Sequence, residues 1–224
     1  KNKNGKKILR KMPFETNNLE QNEINFALEW ICGDIKSKSP FSIDLLSTAW
    51  SKVYRRELVR EKNIKFLPMN IIGCTEDVAF NIEYLLNCKD GYYINIPFYN
   101  YVCNDQSLTH KRALEPLLKL FDQFEIMSKT VEKYGRPELV SCLKKRLIYT
   151  LFSLFVVVSR QNYKHKEKMH ILKQLVLNDY VLNAYKTEKF NNLSFVYKIF
   201  NFLLRKKHYR LVYFAFKVAG IFLK

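Results

Sequence analysis

What this sequence of 224 residues lacks narrows it first. It has no Cys-x-x-Cys pair. Cys32, Cys74, Cys88, Cys103 and Cys142 are odd in number and widely spaced, which argues against a disulfide framework or a zinc site. Reduced, buried thiols in a reducing compartment are expected instead. His110, His165, His170 and His208 show no metal-ligand spacing. No uncharged apolar run reaches the ~20 residues a bilayer span requires; the run at 147–158 is too short. The basic opening stretch 1–7 has no apolar run behind it, so it is not a signal peptide. Internal repeats, low-complexity tracts and a Gly-rich phosphate loop are also missing. These absences set the expectation of a protein in the cytoplasm or on the cytoplasmic side of a membrane.

Acidic residues are scarce. Twenty-one Asp and Glu face 38 Lys and Arg, a net charge of +17. Such a balance implies an anionic partner: nucleic acid, a phospholipid surface or a phosphorylated substrate. An AT-rich coding sequence would also raise the lysine count without any function. The shortage is complete at 193–224, which carries Lys198, Arg205, Lys206, Lys207, Arg210, Lys217 and Lys224 and no acid. Aromatic and aliphatic residues are interleaved there, as in a helix lying in the plane of an anionic bilayer. Nucleic acid competes as a partner but is not expected, because aliphatic content is high and no nucleic-acid module is recognisable. A helix packed on the rest of the chain with a solvated basic face is the third reading.

What is present suffices for a core: 48% hydrophobic residues, with 17 Phe and 14 Tyr. Leu19, Ile24, Ala27, Leu28 and Ile31 predict a helix over 17–32. Residues 42–54 suit a helix leading into a strand, and 55–63 a charged helix with Leu58 and Val59 inward. Thr75 is a plausible N-cap for a helix reaching about Cys88 that buries Val78, Ile82, Leu85 and Leu86. Alternation at 92–96 and 98–103 predicts two strands separated by Pro97. Residues 113–134, 137–159 and 166–185 read as helices. The expected organisation is α/β over 1–110 and all-helical over 111–224.

Chemistry concentrates between Ser47 and Thr109. Ala49-Trp50-Ser51-Lys52-Val53-Tyr54-Arg55-Arg56-Glu57-Leu58 comes first. Cys74-Thr75-Glu76-Asp77-Val78-Ala79-Phe80-Asn81 follows. Ile96-Pro97-Phe98-Tyr99-Asn100-Tyr101 is third, ahead of Ser107-Leu108-Thr109. The second piece sets two carboxylates at a loop-to-helix junction, where backbone N–H groups and the positive helix end hold a carboxylate in a fixed direction. A directed, charged carboxylate suits a general base that takes a proton from a hydroxyl. First-turn acids are also common capping devices, and that alternative stays open.

In order and spacing the three pieces resemble the C-terminal half of bacterial family-2 glycosyltransferases, over roughly residues 1–110. The resemblance implies a partial GT-A (Rossmann-like) domain followed by a helical extension. It also implies inverting transfer of a sugar from a nucleotide-sugar donor to a saccharide or lipid-linked acceptor, in surface polysaccharide or glycolipid synthesis. Asp77 takes the place of the base and Glu76 lies beside the acceptor. Trp50 offers a platform for a sugar ring. Lys52, Tyr54 and Arg55 are candidate phosphate or acceptor contacts. Ser107 and Thr109 fall in a loop near the donor diphosphate; Val102 and Cys103 stand where relatives often carry a base. A divalent metal, Mn or Mg, is expected for the full-length enzyme, with its ligands outside this chain, since no Asp-x-Asp motif occurs. The chain opens on Lys1, so the expectation is a fragment lacking the nucleotide-binding half and inactive alone, from an enzyme peripheral on the inner face of the cell membrane. The rival from another class is a non-catalytic basic module that binds membrane or nucleic acid.

Overall fold

Ile24, Ala27, Leu28 and Ile31 recur at helical spacing, and in the computed structural model they form the buried face of helix α1, Gln21–Cys32. The structure describes residues 14–73, 75–94, 96 and 118–222. At the start of α1, Glu23 accepts the Glu20 N–H at 3.0 Å. Gly33 ends the helix at φ +130°, with its N–H returned to Glu29 O. Trp30 donates its indole N–H to Ser42 O, 3.1 Å, fastening α1 to a 3-10 turn at Pro40–Asp44. Short helices α2, Arg56–Glu61, and α3, Met69–Ile72, precede α4, Glu76–Asn87.

Among the described residues six further helices follow: α5 Leu120–Lys133, α6 Leu139–Arg160, α7 His165–Leu177, α8 Asp179–Thr187, α9 Phe195–Arg205 and α10 Tyr209–Phe222. Helix α6 is the axis of the molecule. Leu143, Leu147, Leu151, Phe152, Phe155 and Val158 are all buried along it, and α1, α5, α8 and α10 pack around it. The run at 147–158 therefore serves as core. Among the described residues no helix is long and apolar enough to cross a membrane. One continuous core takes in Leu28, Ile31 and Val78 together with Phe124, Phe152, Val176 and Val212, so elements on both sides of position 110 share it.

The α/β expectation is overturned. Helix dominates the described residues, and their sheet is one antiparallel pair, β1 Asn18–Leu19 with β2 Gly91–Tyr92, registered Asn18 to Tyr92 and Leu19 to Gly91. Of the strand expected at 92–96, Tyr92 alone lies in a ladder among the described residues, against a strand two residues long, and Tyr93 N–H donates to Asn17 O at 2.7 Å beyond it. Ile94 and Ile96 are left exposed rather than covered by a sheet layer. The 98–103 strand lies outside the described residues. Residues 42–54 form no strand: Pro40 opens a 3-10 turn and irregular backbone follows. A partial Rossmann-like sheet is thus not the scaffold of the described chain.

Helix positions follow the sequence more closely. Val78 and Ile82 are buried on α4, with Leu85 and Leu86 partly so. Thr75 sits at the N-cap of α4, but its hydroxyl lies 3.5 Å from Ile72 O and caps nothing in α4. The stretch expected as one helix over 166–185 divides at Asn178, whose side chain accepts the Tyr180 N–H at 3.0 Å and starts a new helix. The basic tail divides too, at Lys206–His208, where Lys207 takes φ +64°.

Candidate functional site

Ala49 and Asp77, 28 positions apart and one in each of the first two motifs, meet through a hydrogen bond. Ala49 N–H donates to Asp77 Oδ2 at 3.0 Å. Asp77 stands in the first turn of α4, where the helix aims its free N–H groups and positive end outward. The Ala49 bond draws the Trp50-bearing loop onto the helix start and fixes one face of the carboxylate. Trp50, next in sequence, is 44% exposed and presents an aromatic surface at the same place.

Asn81 lies one turn after Asp77 and is fully buried. Its amide donates to Asp77 O at 2.7 Å and to Ser47 O at 2.8 Å, and its carbonyl accepts the Tyr54 hydroxyl at 2.9 Å. Two of these bonds, to Ser47 O and from Tyr54, tie the 47–54 loop to α4; the third stays within the helix. Beneath them, Arg146 of α6 is 4% exposed. It donates to Ile31 O at 2.8 Å, to Ser47 Oγ at 3.3 Å and to Asp44 Oδ1 at 2.8 Å. The loop that holds Asp77 is therefore braced from the core. Neither Asn81 nor Arg146 carries a role in the sequence reading. The signals existed: Asn81 sits four residues from Asp77, and Arg146 is a cation on a helix face otherwise filled by Leu139, Leu143 and Leu147.

Lys52 donates to Leu46 O at 2.6 Å and to Thr48 O at 2.7 Å. Burial pushes its pKa down to about 8, against the pull of the Asp77 charge. Tyr54 is raised, by burial first and then by the negative charge of Asp77. Its ring stands edge-on to Phe80 and Tyr84, with centroids 5.0 and 4.9 Å away. Tyr54 is thus spent on packing and on Asn81. Arg55 points elsewhere: its guanidinium meets Asp90 at 3.1 Å on the surface, and its N–H donates to Tyr84. It edges an open groove of about 1020 Å³ lined also by Lys62, Lys89 and Tyr92; Asp77 and Glu76 are not part of that lining.

Glu76 is half-buried, and its Oε2 is shielded from solvent with no hydrogen-bond partner. A carboxylate oxygen in that state is an acceptor lacking a donor. The structure thus brings Trp50, Lys52, Tyr54, Glu76 and Asp77 to one neighbourhood and leaves Arg55 apart; Ser107 and Thr109 lie outside the described residues. Among the described residues no group of three or more His, Cys, Asp or Glu is placed to hold a metal ion. Cys32, Cys88 and Cys142 are free thiols, each pushed up by burial.

Comparisons with protein-family models, with curated proteins and with solved structures return no match for this chain.

Proposed function

We propose that the chain supplies the acceptor side of a glycosyltransferase site, with Asp77 as the base. The observation that carries the reading is the Ala49 N–H bond to Asp77 Oδ2, which joins the two motifs at a helix start. One carboxylate oxygen is held by it, and no hydrogen bond to Oδ1 occurs among the described residues, so that oxygen is available to an incoming hydroxyl. Glu76 stands beside Asp77 in the same first turn, as the reading requires of the second carboxylate. Trp50, partly exposed next to Ala49, adds aromatic surface of the kind a saccharide packs on.

In this reaction the acceptor O–H proton passes to Asp77 as the oxygen attacks the anomeric carbon from the face opposite the leaving nucleotide. The C–O bond to the nucleotide diphosphate breaks with inversion. The diphosphate is held by groups other than those described. Under this proposal the acceptor is a saccharide or a lipid-linked saccharide, and the work is done at the cytoplasmic face of a bacterial membrane.

The test is turnover of a panel of sugar nucleotides by the gene product carrying this chain, with and without Asp77→Asn. Loss of a general base predicts a fall of about 10² to 10⁴ in kcat, with donor binding within a few-fold of wild type. Wild-type turnover in that variant would remove the base assignment. A folded protein that consumes no sugar nucleotide overturns the reading itself.

A further inference from the structure

Helix α9 buries Leu204 and leaves bare the side opposite it. Phe195 is 77% exposed, Val196 55%, Ile199 42% and Phe202 59%. Their spacing, i, i+1, i+4 and i+7, makes one continuous apolar stripe along the helix. Four large apolar side chains aligned on one exposed face are not the scattered exposure of an ordinary surface. Lys198 and Arg205 flank the stripe on one side, and Lys206, Lys207 and Arg210 follow at the joint to α10. All five are exposed, and none joins an ion pair among the described residues. On α10, Leu211 and Phe214 are 58% and 65% exposed, with Arg210 and Lys217 on the same helix.

We infer that the α9 face seats on an anionic phospholipid bilayer. An apolar stripe sinks into the acyl boundary while cations beside it meet lipid phosphates, the arrangement of an in-plane helix. Charge decides between occupants. A second copy of the chain would set seven cations of 193–224 against seven more, within two molecules of net charge +17. Nucleic acid would answer the lysines and leave Val196 and Ile199 in water. An anionic bilayer satisfies both halves of the surface. The inference does not rest on the glycosyl-transfer reading, and either stands if the other falls.

The experiment is flotation of the purified chain with vesicles of phosphatidylcholine alone and with vesicles containing phosphatidylglycerol, at low and high salt. Two variants accompany it, F195S with F202S and K206E with K207E, each checked by circular dichroism. All four positions are exposed, so the fold should survive. Binding is expected to be at least about tenfold stronger with the anionic lipid and weaker in high salt. Both variants should lose that gain. Absence of wild-type flotation overturns the proposal, as does equal flotation on neutral vesicles. So does wild-type binding by F195S with F202S. Self-association abolished by the phenylalanine pair alone, or vesicle binding displaced by DNA, assigns the surface to another occupant and rejects the bilayer.

Discussion

Burial makes the charge of Lys52 costly to the fold. Burial holds its pKa near 8, while in the unfolded chain it returns to the ordinary lysine value of about 10.4. Between these values the unfolded state carries a proton that the folded state has shed, so stability rises with pH across that window. Below about pH 8 both states are charged and the full burial penalty remains. Lys52→Met keeps the apolar stem and has nothing to titrate. The variant also strands Leu46 O and Thr48 O, a loss present at every pH that leaves the slope unchanged. Urea unfolding at pH 7 and pH 10 should therefore show wild type gaining on the variant by roughly 1–3 kcal/mol, after discounting for partial solvent access. A difference that stays constant with pH refutes the assignment. The same bonds explain why Lys52, read from sequence as a contact for phosphate or acceptor, has its ammonium turned onto the backbone carbonyls of its own loop.

At the scale of elements, Gly33 sets how closely α1 approaches α6. Its φ of +130° lies where side-chain-bearing residues rarely go. A Cβ there would overlap Cys142 O and come within 2.6 Å of Arg146 N. Both obstacles are backbone of a helix that cannot yield locally. Gly33→Ala should cost roughly 2–5 kcal/mol, combining backbone strain with overpacking. Denaturant midpoints measure it, and a loss under about 0.5 kcal/mol would show that α1 can shift away from α6 freely. Helices of this kind were legible because their signal is local. The period of Ile24, Ala27, Leu28 and Ile31 fixes the buried face of α1, and Gly135, at φ +71°, marks the break after α5. Strands were not legible, because alternation at 92–96 is only a local permission and pairing needs a neighbour that the local pattern does not reveal. The site divides the same way. The spacing of Glu76 and Asp77 from Thr75 could be read directly, whereas the link from Asp77 to Ala49 and the bracing by Arg146 join residues 28 and 99 positions apart.

At the scale of the molecule, composition suggests a seam near residue 110 and packing crosses it. Leu28, Ile31 and Ile35 from the first part enter the same core as Leu143, Leu147 and Phe152. Polar ties cross as well: Arg146 to Ile31 O, Lys145 to Asp34 at 2.8 Å, and Gln123 to Ile72 O at 2.7 Å. A helix whose apolar face is covered from both sides cannot lose one cover cheaply. Each large side chain bared costs about 1.5–3 kcal/mol, and Leu28 and Ile31 alone shelter part of α6. Two such residues together cost about 3–6 kcal/mol, which reaches the lower end of the stability of an ordinary domain, about 5–15 kcal/mol. Residues 111–224 produced alone should therefore retain helical far-ultraviolet dichroism but lose cooperative unfolding and bind a hydrophobic dye, the signature of collapsed helices without fixed packing. The full chain should bind little dye in its core and unfold with far- and near-ultraviolet signals changing together. A sharp, dye-free transition in the isolated 111–224 segment would mean that α6 closes its own core and that α1 is an accessory. In that case the bracing of Asp77 by Arg146 would join the site to a body that folds without it.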